Sequence, residues 1–425
     1  MERADMSFIR RPATLRSTAV LGLAVAAGMA GCAGHGRNTS AEMTRAQERM
    51  SQIKSATQWE MANESYMAGD LDRALQSVNN SLALNPSVSK SHVLRGKILL
   101  ELGRLEEARD SLLRAEIIRP NTIEAQYFLG IISERLGQDE EALGYYQRAA
   151  DLDPAEAMYA VAAAELLIDL GRLDEAKAYL DERSNVFGNN AGVQQTLGHL
   201  ALLQDDPEQA EVLFRNAQLL ASDEPRVYED LIHAQMELGR FAEAEHNIRQ
   251  LQEFDGYENR RDISMIRARC LIELDRMMEA REVLLKLTDS SGGDMDANAW
   301  LDLGAVSYKI NDMPRLRKAG QKLTALRPDH PEGYLYTALW QRKHGDSNGA
   351  LATLEKGFVR ADMPYEAMLL RGVIEQELGM FAAAERSYRA ASALQPDDDR
   401  AKQLLTSLLQ SGDDGIADFP VDDDD

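Results

Sequence analysis

One phrase recurs at an almost fixed spacing along the chain, and this recurrence restricts the fold more than any other feature. "LGRLEEA" ends at Ala108, "LGRFAEA" at Ala244 and "LGMFAAA" at Ala384. The last residue of the phrase recurs every 34 residues, with two steps of 36, in the series Ala74, Ala108, Ala142, Ala176, Ala210, Ala244, Ala280, Leu316, Ala350 and Ala384. Such a period predicts a stack of similar helical units.

Two further positions share this period. Twelve residues before the first series stand Ala62, Gly96, Gly130, Ala164, Gly198, Ile232, Ala268, Gly304, Ala338 and Gly372. The third series is Gly69, Gly103, Gly137, Gly171, Asp205, Gly239, Asp275, Asn311, Gly345 and Gly379. Small residues let two helices approach closely, and Gly, Asp and Asn tolerate the left-handed backbone that ends a helix. Each unit is therefore predicted to be a helix A, a tight turn and a helix B.

The segment "AQYFLGIISERLGQDEEALGYYQRAADLDP", residues 125–154, carries almost completely the pattern of a large residue, Leu-Gly, a further large residue, Ala, an aromatic residue, Ala and Pro. It resembles the tetratricopeptide repeat family. The resemblance implies an all-α fold, a right-handed α-solenoid of about ten repeats over residues 55–398. One such hairpin cannot bury its apolar face alone, so neighbouring repeats must stack.

The ends of the chain are predicted to lie outside the repeats. "DRAKQLLTSLLQSG", residues 399–412, has helical apolar spacing and is predicted to cap the last repeat. Residues 413–425 are acidic and are predicted to be disordered. At the other end, Thr39 and Glu42 have capping-box spacing, which predicts a leading helix from near Ser40 within the segment 32–54.

Residues 1–31 have the features of a signal peptide. Arg10, Arg11 and Arg16 precede the apolar run "AVLGLAVAAGMAG", residues 19–31. As a helix this run is about 20 Å long, shorter than the ~30 Å hydrocarbon core of a bilayer. The ending Met29-Ala30-Gly31-Cys32 resembles a bacterial lipobox, which implies lipidation of Cys32. The alternative is ordinary cleavage after Ala30, which gives a soluble periplasmic protein.

Neither catalytic nor cofactor-binding motifs are found in the sequence. The seven histidines form no metal-binding spacing, the glycines occupy helix-packing and turn positions, and no nucleophile motif is present. We therefore predict no enzyme activity, no cofactor, no metal site and no small-molecule substrate. The formal net charge of −23 disfavours nucleic acid and anionic lipid as partners, so membrane contact is expected through the lipid anchor only.

The family resemblance implies a protein-binding groove lined by helix A, at the second, fifth, ninth, twelfth and thirteenth positions of each repeat. On this chain those positions include Trp59, Asn63, Tyr66, Lys97, Tyr127, Ile131, Glu134, Arg135, His199 and His233. Trp59, Tyr66 and Tyr127 are the candidate hot spot, because exposed aromatic side chains anchor interfaces. The alternative is that these three residues pack against the leading helix.

The order of signal, lipobox and repeats is similar to that of Flp/Tad pilus assembly lipoproteins. This resemblance implies an outer-membrane lipoprotein that faces the periplasm and binds a protein or peptide during assembly of a pilus or secretion apparatus. Two alternatives are a scaffold for exopolysaccharide export and a regulator of cell-wall enzymes. The sequence does not identify the client.

Overall fold

The computed structural model describes residues 37–410. This range contains helices and no strand, which confirms the all-α class and the predicted helix-turn-helix repeats. The chain divides into two compact units, one that ends at Arg119 and one that begins at Pro120, and each is described separately. Cys32, residues 1–36 and residues 411–425, including the predicted acidic tail, lie outside the described residues.

The first unit consists of two helical hairpins, which are repeats 1 and 2. Its helices are α1 (Arg37–Met67), α2 (Leu71–Leu84), α3 (Ser89–Glu101) and α4 (Leu105–Ile118). Ala62, Ala74 and Val78 are fully buried, together with Ile98 of α3. Because apolar side chains from both repeats share this cluster, neither repeat buries its core alone.

The helix predicted near Ser40 is present, but it is continuous with helix A of repeat 1. One helix, α1, runs from Arg37 to Met67 and includes both the predicted leading segment and helix A of repeat 1. Neither Gly nor Pro occurs between these residues, so nothing in the local sequence ends the helix. Trp59 and Tyr66 therefore lie on the same helix as the predicted leading segment, whereas the alternative hypothesis had them pack against that segment.

The second unit contains repeats 3 to 10 and a last helix. Its helices are α5 (Ile123–Arg135), α6 (Asp139–Leu152), α7 (Ala157–Asp169), α8 (Leu173–Asp181), α9 (Ser184–Phe187), α10 (Ala191–Leu203), α11 (Pro207–Leu220), α12 (Pro225–Glu237), α13 (Phe241–Leu251), α14 (Arg261–Glu273), α15 (Met277–Asp289), α16 (Ala297–Lys309), α17 (Met313–Leu326), α18 (Glu332–Lys343), α19 (Ser347–Arg360), α20 (Tyr365–Glu377), α21 (Phe381–Leu394) and α22 (Asp399–Gln410). Ala401, Leu404 and Leu408 of α22 are buried on the core that contains Tyr388.

The turn between helices A and B has the predicted left-handed residue in all ten repeats. The ten residues of the third series have φ between 54° and 80°. Asp205, Asp275 and Asn311 adopt this conformation as the seven glycines do. Short polar side chains can bond locally and so tolerate this region better than other non-glycine residues.

Two segments depart from the plain hairpin. Helix B of repeat 4 is divided into α8 and the short α9, and Phe187 at the end of α9 is buried beside Leu180 and Val193. The inserted residues between repeats 7 and 8 form a single 3-10 turn at Gly293–Met295. The Trp300 indole N–H donates to the Gly293 carbonyl at 3.1 Å, which fixes this turn against α16.

Ion pairs join consecutive repeats at equivalent positions. Arg240 contacts the buried Glu211 of the preceding repeat, and Arg276 Nη1 lies 3.3 Å from Oε2 of the buried Glu245. The next interface has the opposite polarity: Arg281 takes the position of the glutamate, and its Nε lies 2.7 Å from Asp312 Oδ2. Pairs with desolvated carboxylates constrain the geometry between neighbours, and this geometry positions the helix A face.

Candidate protein-binding site

A cleft of about 430 Å³ opens on the helix A face of repeats 4 to 6. It is formed by α7, α10 and α12, and its wall includes Val161, Glu165, Gln195, His199, Arg226 and Asp230. Equivalent residues are 34 positions apart, as Glu165 is from His199, so the repeat period brings side chains of three helices to one place. The cleft is therefore a product of the repeat itself.

His199 is held at the middle of this cleft. Its Nε2 lies 3.1 Å from Asp230 Oδ1, and its ring lies 5.2 Å from the Phe214 ring, centroid to centroid. Gln195 Nε2 donates to Asp230 Oδ2 at 2.6 Å. The hydrogen bond with Asp230 raises the pKa of His199, against the opposing effect of burial. The Asp230 carboxylate thus stabilises the charged imidazolium.

Two charged side chains of the cleft have no hydrogen bond or ion pair within the described part of the chain. Glu165 is an exposed residue of α7, and desolvation of its carboxyl in the cleft raises its pKa. Arg226 lies in the first turn of α12. Both groups are available to a bound molecule.

The edge of the cleft is closed by a charged pair. Arg260 Nη1 lies 2.7 Å from Glu229 Oε1, and the same guanidinium contacts Asp262. The hydrogen bond with Glu229 raises the pKa of Tyr257. Glu229 is thus already neutralised by the chain, in contrast to Glu165.

In the first unit, the predicted groove residues Trp59 and Tyr66 contact cations of α3. Trp59 Nε1 donates to the Lys90 carbonyl at 3.3 Å, and the Lys90 ammonium lies 3.9 Å from the Trp59 ring centroid. Lys97 Nζ lies 5.8 Å from the Tyr66 ring centroid, and Tyr66 also contacts Glu101. Asn63 lies on α1, with Trp59 and Tyr66, and is half-buried. The rings are partly covered, which leaves their role in binding a prediction.

In the second unit, four predicted groove residues lie on α5. Tyr127 is half-buried in an aromatic cluster, with ring centroids 5.2 Å from Tyr159 and 5.8 Å from Tyr146. Ile131 packs on the core that contains Tyr146. Glu134 accepts a hydrogen bond from the Tyr146 hydroxyl at 2.6 Å, so it supports helix B. The side chain of Arg135 is exposed.

The predicted groove residues are divided between the two units. Trp59, Asn63, Tyr66 and Lys97 belong to the first unit and the others to the second. Of the predicted groove residues, His199 lines the cleft, whereas His233 is exposed on α12, with its Nδ1 3.9 Å from Glu237 Oε1.

Sequence reasoning missed most of the cleft wall. Glu165, Gln195, Arg226 and Glu229 occupy the second, fifth and ninth repeat positions, so the family pattern itself could have identified them. Tyr257 lies between α13 and α14 and has no repeat position. Within residues 37–410, no group of three or more His, Cys, Asp or Glu residues is arranged to hold a metal ion. None of the helices in the same range is long and apolar enough to cross a membrane.

A larger cleft, of about 790 Å³, lies on the helix B face between α11 and α13. Its floor includes the buried amides Gln235 and Asn247, and Asn247 Nδ2 donates to Gln235 Oε1 at 2.9 Å. Gln235 Nε2 in turn donates to Glu211 Oε1 at 3.2 Å. These floor groups are therefore bonded to one another and are not available to a bound molecule.

Comparison with known proteins agrees with the repeat pattern. Tetratricopeptide repeat models match residues 60–123, 123–156 and 229–295. The human Protein O-mannosyl-transferase TMTC3 is 26% identical over 38% of this chain and 18% of its own length. A TPR repeat-containing protein of Treponema pallidum is 26% identical over 35% of this chain and 19% of its own length. The chain thus spans about a fifth of these curated relatives.

Among solved structures, PilW, described as a widely conserved type IV pilus biogenesis factor, is 19% identical. The match covers 50% of this chain and 97% of PilW, with a TM-score of 0.44. The matched segments and the helical hairpins show that this chain carries tetratricopeptide repeats and has an all-α tetratricopeptide-repeat fold.

Proposed function

We propose that the protein is a scaffold that binds a protein or peptide client through its helix A face. The observation that carries this proposal is the cleft on α7, α10 and α12, where Glu165 and Arg226 are unpaired among the described residues. A concave site with a few convergent polar groups is the common form of a binding site. TMTC3 is named a transferase, but the match covers only 18% of its length at 26% identity, and we propose no catalytic role.

We further propose that the scaffold is a lipid-anchored protein of the outer membrane that faces the periplasm. This part rests on the sequence of residues 19–32 and on the order of signal, Cys32 and repeats. The same order favours assembly of a pilus or secretion apparatus as the process served. An anchor raises the local concentration of the scaffold near a client in the same membrane.

Site-specific photo-crosslinking tests the client-binding role. A photoreactive amino acid replaces Val161 on the cleft wall in cells that express the full chain, and the matched control carries it at Lys177, an exposed residue of α8. We expect an adduct with one envelope protein from position 161 but not from position 177. Adducts of equal yield at both positions, or none at position 161, would contradict binding through this face.

Membrane fractionation tests the anchor. Cys32→Ala is expected to move the protein from the outer-membrane fraction to the soluble periplasmic fraction, because the acyl chains hold it at the bilayer. Cys270→Ala, at a buried core position, is the matched cysteine control and is expected to stay in the membrane fraction. Retention of the Cys32→Ala protein in the membrane would contradict the lipoprotein proposal.

A further inference from the structure

The cleft contains a second, more specific property, which rests on the proposed client-binding function. Three carboxylates approach it from two repeats, and their partners differ. Glu229 is held by Arg260, Asp230 is held by His199 and Gln195, and Glu165 contacts no donor among residues 37–410. One carboxylate of the wall is therefore left to a bound molecule.

The position of Glu165 defines what such a molecule must offer. Glu165 occupies the ninth position of repeat 4, equivalent to His199 of repeat 5, so the two side chains are neighbours on the same face. The charge of Glu165 also contributes to the raised pKa of His199, after the hydrogen bond with Asp230. A cation placed beside Glu165 would pair with its carboxylate and would also be attracted by the Asp230 carboxylate. The formal net charge of −23 favours the approach of a cationic segment in the same sense.

We propose that the cleft binds a lysine or arginine side chain of the client, with the cation paired to Glu165 beside the His199–Asp230 pair. Arg226 is the opposing charge on the wall, at the other end of the helix A face, in the first turn of α12. It repels a second cation and so limits the cleft to one basic side chain at the Glu165 end. The apolar stem of that side chain would lie against Val161, as long basic side chains do on apolar surfaces.

Binding of a cation here must depend on pH. The groups that face His199 are Glu165 from α7, Gln195 from its own helix, Asp230 from α12 and the Phe214 ring from α11. The pKa values of His199 and Glu165 are both raised. As the pH falls, protonation charges His199 and neutralises Glu165, and both changes make the cleft more positive. Affinity for a basic side chain is therefore expected to fall with acidification.

Peptide selection followed by titration tests this inference. Random peptides displayed on phage are selected on the full-length protein in detergent, and enriched sequences are resynthesised with a fluorescent label. We expect one Lys or Arg to recur among them. Glu165→Gln should weaken binding about tenfold, the size of one charge-assisted contact, whereas Arg226→Gln should strengthen it. Glu182→Gln, at an exposed glutamate that directly follows α8, is the matched control and should leave affinity unchanged.

The possible outcomes separate this inference from the proposed function. Acidic or purely apolar selected peptides, or an affinity insensitive to Glu165→Gln, would overturn it, as would the recovery of no peptide. Equal weakening by Glu165→Gln and Arg226→Gln would also overturn it, because it would show a segment that carries both charges. If position 161 still forms a client adduct in any of these cases, the client-binding proposal survives without the basic side chain.

Discussion

In both repeat 3 and repeat 8 a tyrosine ring covers the glycine of helix A, but the tyrosine comes from the same repeat in one case and from the next repeat in the other. In repeat 3, the ring of Tyr146 from helix B of the same repeat covers Gly130, and a Cβ at Gly130 would lie 2.5 Å from Tyr146 Cε1. In repeat 8, the residue equivalent to Tyr146 is Gly320, and the ring that covers Gly304 belongs to Tyr336 of repeat 9. A Cβ at Gly304 would lie 2.2 Å from Tyr336 Cε2.

This difference changes what holds the neighbouring repeats together. Tyr146 closes the contact between α5 and α6 within one repeat, whereas Tyr336 inserts from α18 into the preceding repeat. Gly320, the second glycine of repeat 8, also allows α17 to lie close to α18. A Cβ at Gly320 would lie 2.6 Å from Thr337 Oγ1. Repeat 8 is therefore a hairpin that is completed by its neighbour. Coupling between repeats 8 and 9 should accordingly be stronger, and more dependent on one side chain, than coupling elsewhere.

The largest expected effect follows from removing the two rings. Tyr146→Ala and Tyr336→Ala should each lower the free energy of unfolding by about 3 to 5 kcal/mol, because the buried Tyr146 ring and the half-buried Tyr336 ring each fill a space against a glycine of helix A. The two variants should differ in which amides lose protection from hydrogen exchange. In Tyr336→Ala, the amides of α16 to α19 should lose protection from hydrogen exchange together, since two repeats share the ring. Loss of protection confined to α18 and α19 would show that Tyr336 does not complete repeat 8.

Part of this comparison could be predicted from the sequence. The 34-residue period identified the small positions and the left-handed turn residues, because each depends on a single residue type at a fixed place. The insertion of Tyr336 could not be predicted, since the ring fills a gap left by two glycines in another repeat. The continuity of α1 was missed although residues 37–67 contain neither Gly nor Pro, because the repeat pattern indicates where helix A lies and not how far a helix extends before it.

The site was less predictable than the fold for a related reason. His199 was identified from its repeat position, but Glu165 and Arg226 are charged residues on a helix surface, where solvated side chains are common. Their importance comes from what their neighbours do: Glu229 is neutralised by Arg260, and Glu165 is not. Such pairings join residues of different repeats or connecting segments, so they follow from side-chain geometry and not from the period.

A smaller effect is expected from filling the space at the glycines. Gly130→Ala and Gly304→Ala should each cost about 1 to 3 kcal/mol, because the added methyl overlaps a tyrosine ring. Tyr146→Leu should rescue Gly130→Ala, since Ala164 with Leu180 and Ala268 with Leu284 form this pair in other repeats. Thermal and denaturant unfolding of the single and double variants measures the rescue.

The corresponding double change in repeat 8 sharpens the contrast. Rescue of Gly304→Ala should come from a smaller residue at Tyr336, which lies in the next repeat. Placing a larger residue at Gly320 should instead add to the damage, because Thr337 occupies the adjoining space. If a change within repeat 8 restored stability and a change at Tyr336 did not, the packing partner of Gly304 would have been assigned to the wrong repeat.

The smallest expected effect concerns the two hydroxyl groups. The Tyr146 hydroxyl donates to the Glu134 side chain at 2.6 Å, and the Tyr336 hydroxyl donates to the Leu301 main-chain carbonyl at 3.1 Å. Tyr146→Phe and Tyr336→Phe should each cost about 0.5 to 1.5 kcal/mol, the net value of one hydrogen bond. Only the loss in Tyr146→Phe can be compensated by a second substitution, because Tyr146 bonds to a side chain and Tyr336 bonds to the main chain. Repeat 5 already pairs Phe214 with Leu202 at the positions of Tyr146 and Glu134, so Tyr146→Phe combined with Glu134→Leu should regain most of the stability.

Denaturant titration of the wild type, Tyr146→Phe, Tyr336→Phe and the Tyr146→Phe/Glu134→Leu double variant shows what Glu134 contributes to the stability of repeat 3. If the double variant is as stable as the wild type, the residue four positions after the glycine is selected to match the tip of the ring, by hydrogen bonding or by apolar contact. If the double variant is no better than Tyr146→Phe, Glu134 contributes to repeat 3 in another way. Glu134 would then be a charge of the helix A face, as the family pattern predicts, and its bond to Tyr146 would be incidental to stability.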